Sequence, residues 1–180
     1  KKLVLSCYKD SVAYNYAKQN NISVKLIVDP AKKGTTLTVS SKKLEVIVTS
    51  SSKKNPTVTV TKIMDKKAKK LTIPATVKVK GVTYKVTAIS DRAFKGNKKL
   101  TTVTIGSNVT KIGIGAFYGC KNLKKITVTA GKLTTINRSV FKGVKKNVTI
   151  SVKDTKKAKT ALKKQLKKKS IGYVKTWKIK

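Results

Sequence analysis

Ile112-Gly113-Ile114-Gly115-Ala116-Phe117-Tyr118-Gly119-Cys120-Lys121-Asn122-Leu123 is the stretch that decides the fold, because its apolar skeleton occurs three times. Eight positions recur, at spacings of 23 and then 24 residues. The copy before it holds Val86, Ile89, Ala93, Phe94, Gly96, Leu100, Val103 and Ile105. The central copy holds Val109, Ile112, Ala116, Phe117, Gly119, Leu123, Ile126 and Val128. The copy after it holds Leu133, Ile136, Val140, Phe141, Gly143, Asn147, Ile150 and Val152, where only Asn147 breaks the apolar pattern.

A repeat of this length predicts a solenoid in which each unit is a strand followed by a short helical or irregular return. Val103-Thr104-Ile105, Ile126-Thr127-Val128 and Ile150-Ser151-Val152 alternate apolar with hydroxyl residues, the period of a strand with one buried face. The Ala-Phe-x-Gly segment predicts a helical turn closed by a glycine that tolerates positive φ. A single unit buries too little apolar surface to offset the entropy of ordering its backbone, so the copies must stack.

The segments from Ala88-Ile89 through Ala93-Phe94-Lys95-Gly96 and Asn97-Lys98-Lys99-Leu100, and the central copy above all, resemble the BspA-type (treponemal) leucine-rich repeat of bacterial surface proteins. Leu71-Thr72-Ile73-Pro74 followed by Gly81-Val82-Thr83-Tyr84-Lys85-Val86 resembles that family's lead-in to an array. The fold expected is a leucine-rich-repeat-like solenoid of short parallel strands with irregular or short helical returns. An antiparallel β cap precedes it and a helix-strand cap follows. The resemblance implies a secreted or surface-attached bacterial protein used in adhesion or cell contact.

The flanks complete the expected organisation. Leu3-Val4-Leu5 leads through Asp10 into a helix with Val12, Ala13, Tyr16 and Ala17 on one side, then turns at Asn20-Asn21 into Ile22-Val24-Leu26. At the other end Asp154 is a candidate N-cap. It opens a helix carrying Ala158, Ala161, Leu162 and Leu166 that stops near Gly172, before a last strand with Tyr173, Val174, Trp177 and Ile179. Residues 1–28 are therefore expected to close an upstream array, 29–36 to be a linker containing Pro30 and Gly34, 37–70 a β-rich N-terminal cap, 71–152 the repeats and 153–180 the C-terminal cap. With Lys at position 1 and Met64 the only methionine, the chain reads as a mature product or a piece of a longer one.

The function classes that composition excludes follow from what is missing. Without histidine, no Ser-His or Cys-His pair can form. Asp10, Asp29, Glu45, Asp65, Asp91 and Asp154 are scattered one to a segment, so no paired-carboxylate site is expected and the chain is read as no enzyme. Cys7 and Cys120 are too few for a zinc site. They have the option of one disulfide, but the place of Cys120 inside the repeat favours a buried free thiol. No cofactor and no metal are expected. Gly113, Gly115 and Gly119 depart from the spacing of a nucleotide-binding glycine loop and overlay repeat positions. The sequons Asn108-Val109-Thr110 and Asn147-Val148-Thr149 fall on turn and strand positions. No stretch approaches the roughly 20 apolar residues of a membrane helix.

Formal charge is +38, from 44 Lys plus Arg against six acids, and only Arg92 and Arg138 are arginines. Lysine is a hydrated point charge, whereas sequence-specific nucleic-acid readers lean on the bidentate arginine fork, so nucleic acid is the third-ranked ligand. Such a charge attracts polyanions over about 8 Å at physiological salt. The lysine-rich helix from Lys156 to Lys169 has an apolar stripe too narrow for a membrane-surface binder and reads as a cap. The candidate ligand face is the outward row of the strands: Thr102, Thr104, Lys125, Thr127, Thr149 and Ser151. Its expected partner is a protein at the cell surface, or alternatively a glycan or other polyanion.

Overall fold

The structure is a computed structural model that describes residues 3–129, 132–153 and 156–180, with backbone alone for 156–158. The N-terminal unit is β1 (Val4–Cys7), α1 (Val12–Gln19) and β2 (Ser23–Leu26), with β1 and β2 parallel. Ser11 caps the helix: its Oγ accepts the Tyr14 N–H at 3.1 Å, while Asp10 turns the chain at φ 61°. The expected apolar side of α1 is only partly used. Ala17 is buried, but Val12 is 87% and Tyr16 58% exposed, because no described element lies over that face.

Three strands, β3 (Thr36–Val39), β4 (Leu44–Ser50) and β5 (Thr57–Ile63), form an antiparallel meander. Their alternation places Val39, Leu44, Val46, Val48, Val58 and Val60 in the core. Then follow β6 (Lys70–Ile73) and the hairpin of β7 (Thr76–Val79) with β8 (Val82–Ile89). Residues 29–36 are more than a tether, since the Ala31 N–H donates to the buried Tyr84 Oη at 2.8 Å.

The repeats contribute β9 (Thr102–Ile105), β10 (Lys111–Ile112), β11 (Lys125–Thr129), β12 (Thr135–Ile136) and β13 (Thr149–Lys153). They build two walls. One is the parallel ladder β6-β9-β11-β13, to which the C-terminal β14 (Lys178–Ile179) is added. The other continues the antiparallel meander: β5 pairs in parallel with β8, β8 with β10, and β10 with β12. Each coil thus runs from one wall to the other through the Ala-Phe-x-Gly turn.

Register stacks the apolar positions into columns. Leu71, Val103, Ile126, Ile150 and Ile179 form one, and Ile73, Ile105, Val128 and Val152 a second. Val60, Ile89, Ile112 and Ile136 form the column of the opposite wall. Between the walls Phe94, Phe117 and Phe141 stack, with centroids 5.1 and 5.7 Å apart. The turns that carry them are chains of i→i+3 hydrogen bonds rather than a helix, each closed by a glycine at positive φ: Gly96, Gly119 and Gly143. Backbone bonds also run from coil to coil. Arg92, Phe94 and Gly96 donate to Ile114, Ala116 and Tyr118, and Gly115, Phe117 and Gly119 donate to Arg138, Val140 and Lys142. The exception at Asn147 is resolved by a one-residue slip: Asn147 is exposed, and Val148 takes the buried place that Leu100 and Leu123 hold in earlier coils.

The C-terminal cap carries α2 (Lys156–Leu166), shorter than expected, and then a turn at Lys169–Ile171 closed by Gly172 at φ 98°. Leu162, Leu166 and Ile171 are buried against the last coil. Asp154 lies outside the described residues, and nothing of the Ala158 side chain is described. The expected final strand shrinks to two residues because the chain turns between Val174 and Trp177, where the Trp177 N–H donates to the Val174 carbonyl at 3.0 Å, and Trp177 is buried. Its ring meets Phe141 edge-on at 6.0 Å, and its Nε1–H donates to the Lys145 carbonyl at 3.2 Å.

Candidate ligand-binding face

Strand alternation sends the residues between the buried columns outward, and parallel register lines them up. The ladder brings all six candidate residues onto one face in two rows. Thr102, Lys125 and Thr149 are register partners in one row, and Thr104, Thr127 and Ser151 in the other. Lys125 is exposed and the five hydroxyl residues are half-buried between neighbouring strands. The rows are longer than the sequence pattern indicated. Lys70 and Lys178 extend the first, and Thr72 precedes Thr104 in the second. The alternation in Leu71-Thr72-Ile73 carried the signal for that extra coil.

The electrostatics divide the molecule. Three of the four acids in the N-terminal half are paired at the surface: Asp29 with Lys53 at 3.1 Å, Glu45 with Lys62 at 2.9 Å and Asp65 with Lys43 at 3.3 Å. The Tyr8 hydroxyl, then Lys53, hold the Asp29 carboxyl below the usual carboxylate range. Glu45 is lowered by Lys62 and Thr61, and Asp65 by the Lys67 backbone N–H and Lys43. Asp91 accepts the Ile114 N–H at 2.7 Å. From there to Asp154 the sequence has no acid, so every charged side chain of the coils after Asp91 is cationic.

Both cysteines are buried free thiols. The Cys120 thiol donates to the Phe94 carbonyl at 3.1 Å, and burial pushes its pKa up to about 11, which makes it a packing group rather than a nucleophile. Nothing in the arrangement indicates catalysis. Among the described residues no group of three or more His, Cys, Asp or Glu could hold a metal, and no helix is long and apolar enough to cross a membrane.

Comparison with known proteins agrees with this architecture. A leucine-rich repeat protein from Bacteroides capillosus shares the fold at TM-score 0.56 and 23% identity, over 81% of this chain and 98% of that one. A leucine rich cell surface protein from Faecalibacterium prausnitzii matches at TM-score 0.51 and 24% identity over 83% of this chain, which spans only 44% of that protein. No curated protein matches significantly. Residues 64–176 match the BspA type leucine rich repeat region in 6 copies, and on that match, which covers most of its length, the chain belongs to the BspA-type leucine-rich repeat family.

Proposed function

We propose that this chain is a non-catalytic module that presents the strand face Thr102, Thr104, Lys125, Thr127, Thr149 and Ser151 for adhesion or protein contact on a bacterial cell surface. The observation that carries the reading is the pair of registered rows: a parallel ladder repeats one outward position from coil to coil, which suits an extended partner. The surface location draws on the family and on the fold shared with a protein described as a cell surface protein. In the same reading β1-α1-β2 closes a preceding array, as β13-α2-β14 closes this one, since both are parallel strand-helix-strand units.

The cationic stretch between Asp91 and Asp154 favours a second reading, capture of an extracellular polyanion by charge. Adhesion of protein-coated beads to cells, measured from roughly 50 to 200 mM salt, separates the two, because charge-driven binding falls steeply over that range. Weak salt dependence, with loss of adhesion in a Thr104→Glu/Thr127→Glu variant, supports the face. Steep dependence with no effect of the variant supports the polyanion reading, and an intracellular location of the protein rejects adhesion.

A further inference from the structure

The two arginines of this lysine-dominated chain stand 46 positions apart in sequence, yet line one cleft of about 250 Å³ on the turn edge of the solenoid, where the coils cross between the walls. Ile114 and Tyr118 supply its apolar surface and Ser139 a hydroxyl. Gly115, at φ 59°, keeps it open: a Cβ there would lie 3.5 Å from the Tyr118 Cβ and 3.9 Å from the Arg92 Cγ. Lys95 Nζ sits 5.6 Å from the Tyr118 ring centroid and adds a third cation. Among the described residues neither guanidinium is within ion-pair distance of a carboxylate. The acid next to Arg92 in sequence, Asp91, is turned onto the Ile114 backbone N–H.

We infer that this cleft is a binding site for a carboxylate-bearing sugar, a uronate unit of an acidic glycan. Guanidinium differs from ammonium in presenting a planar fork that pairs with a carboxylate through two parallel hydrogen bonds. Two such forks, in a chain that otherwise uses lysine for its positive charge, supply a geometry that bulk charge does not need. A sugar ring offers an apolar face for Tyr118 and Ile114 and hydroxyls for Ser139, which an acidic side chain on a flexible peptide lacks. The site is independent of the strand face, being built on the turns rather than on the β6-β9-β11-β13 ladder.

The test keeps total charge constant. Binding of a galacturonate trisaccharide to the full chain is measured by calorimetry at physiological salt, beside the same trisaccharide reduced to its neutral galactose form and a triglutamate peptide. The wild-type chain binds the uronate. Arg92→Lys/Arg138→Lys, which leaves net charge unchanged, weakens it about tenfold or more, and the neutral sugar does not bind. Gly115→Asn, a residue that tolerates positive φ, closes the cleft and gives the same loss while both arginines remain, so the inference stays testable if the double variant folds poorly. Equal affinity of wild type and both variants, absence of uronate binding, or tighter binding of triglutamate each overturns it.

Discussion

Phe94 and Phe117 lie 23 residues apart in sequence, yet their rings stack 5.1 Å apart at an interplanar angle of 21°. Phe117 meets Phe141 on its other side at 5.7 Å, so it is the one ring of the column stacked on both faces. It is fully buried. Phe117→Ala removes two stacking contacts and leaves a cavity that the backbone-bonded turns around it cannot close. The expected loss is about 3–5 kcal/mol in urea unfolding. Val12→Ala, on the exposed side of α1, is expected to stay within about 0.5 kcal/mol of wild type.

Gly172 closes the C-terminal cap at φ 98°, and a Cβ on it would lie 2.5 Å from the Lys142 backbone nitrogen. The obstacle is main chain, and the Phe141 N–H beside it donates to the Ile171 carbonyl at 2.8 Å. Gly172→Ala must therefore push the cap off the last coil. Unfolding is expected to show a loss well above about 1 kcal/mol, with Trp177 fluorescence shifting to the red as its ring leaves Phe141.

Cys120 provides a pH test. Its ordinary pKa of 9.0 is raised to about 11 by burial, so the folded state holds the proton more tightly than the unfolded chain does. Below pH 9 the thiol is protonated in both states and its contribution is intact. Between about pH 9 and 11 only the unfolded chain ionises, and that contribution is lost as pH rises. Measured against Cys120→Ala, in which all lysine titrations cancel, the stability difference should stay flat to pH 9 and then move in favour of the variant. At pH 8 about one folded molecule in a thousand carries this thiolate, so alkylation of Cys120 should require unfolding.

What the sequence disclosed and what it hid have separate physical causes. The Phe column, the β9, β11 and β13 strands and the two outward rows were legible because each depends on a period that survives in the residue order. The second wall was not. Lys111–Ile112 and Thr135–Ile136 are two-residue strands, too short to alternate, and they form on a parallel edge supplied from coil to coil, by β8 to β10 and by β10 to β12. Trp177 as the ring that caps the column was equally hidden, since α2 and its following turn break the spacing. Arg92 and Arg138 occupy different places in the repeat, one aligned with Gly115 and Ser139 and the other with Asp91 and Ile114. Their convergence is a property of stacked coils alone.

The Asp29 carboxylate holds the N-terminal unit to the meander from the surface. It accepts the Tyr8 hydroxyl at 2.9 Å and pairs with Lys53, whose ammonium also reaches the Tyr8 oxygen at 2.8 Å. The low pKa of Asp29 means that this support is complete above the ordinary carboxylate range and lost as pH falls through the folded-state value. Asp29→Asn is expected to raise proteolytic cleavage within residues 29–36 near neutral pH, with no change in the melting of the repeats. A fall in pH should reproduce that cleavage pattern in the wild type.

The same contacts set the outcome of removing residues 1–28. Cys7 and Ala17 are buried within that unit but lie outside the continuous core that runs from Val39 to Trp177. The contacts that join the unit to the rest include the exposed Tyr8-Asp29-Lys53 cluster and the approach of Val28 to Gly81. Surface pairs of this kind contribute little once solvent screens them, whereas the repeat coils share columns of buried side chains. A chain beginning at Asp29 should therefore melt within error of the intact one and retain the fluorescence of Trp177. Leu3, Val4, Val12, Tyr16 and Leu26 stay exposed on the unit itself, an apolar surface suited to the face of a preceding repeat coil. Fusing such a coil ahead of Lys1 should bury them and raise protection from hydrogen exchange in β1 and α1. A large drop in repeat stability on deletion, or unchanged exchange on fusion, would remove the case for treating 1–28 as the end of a separate array.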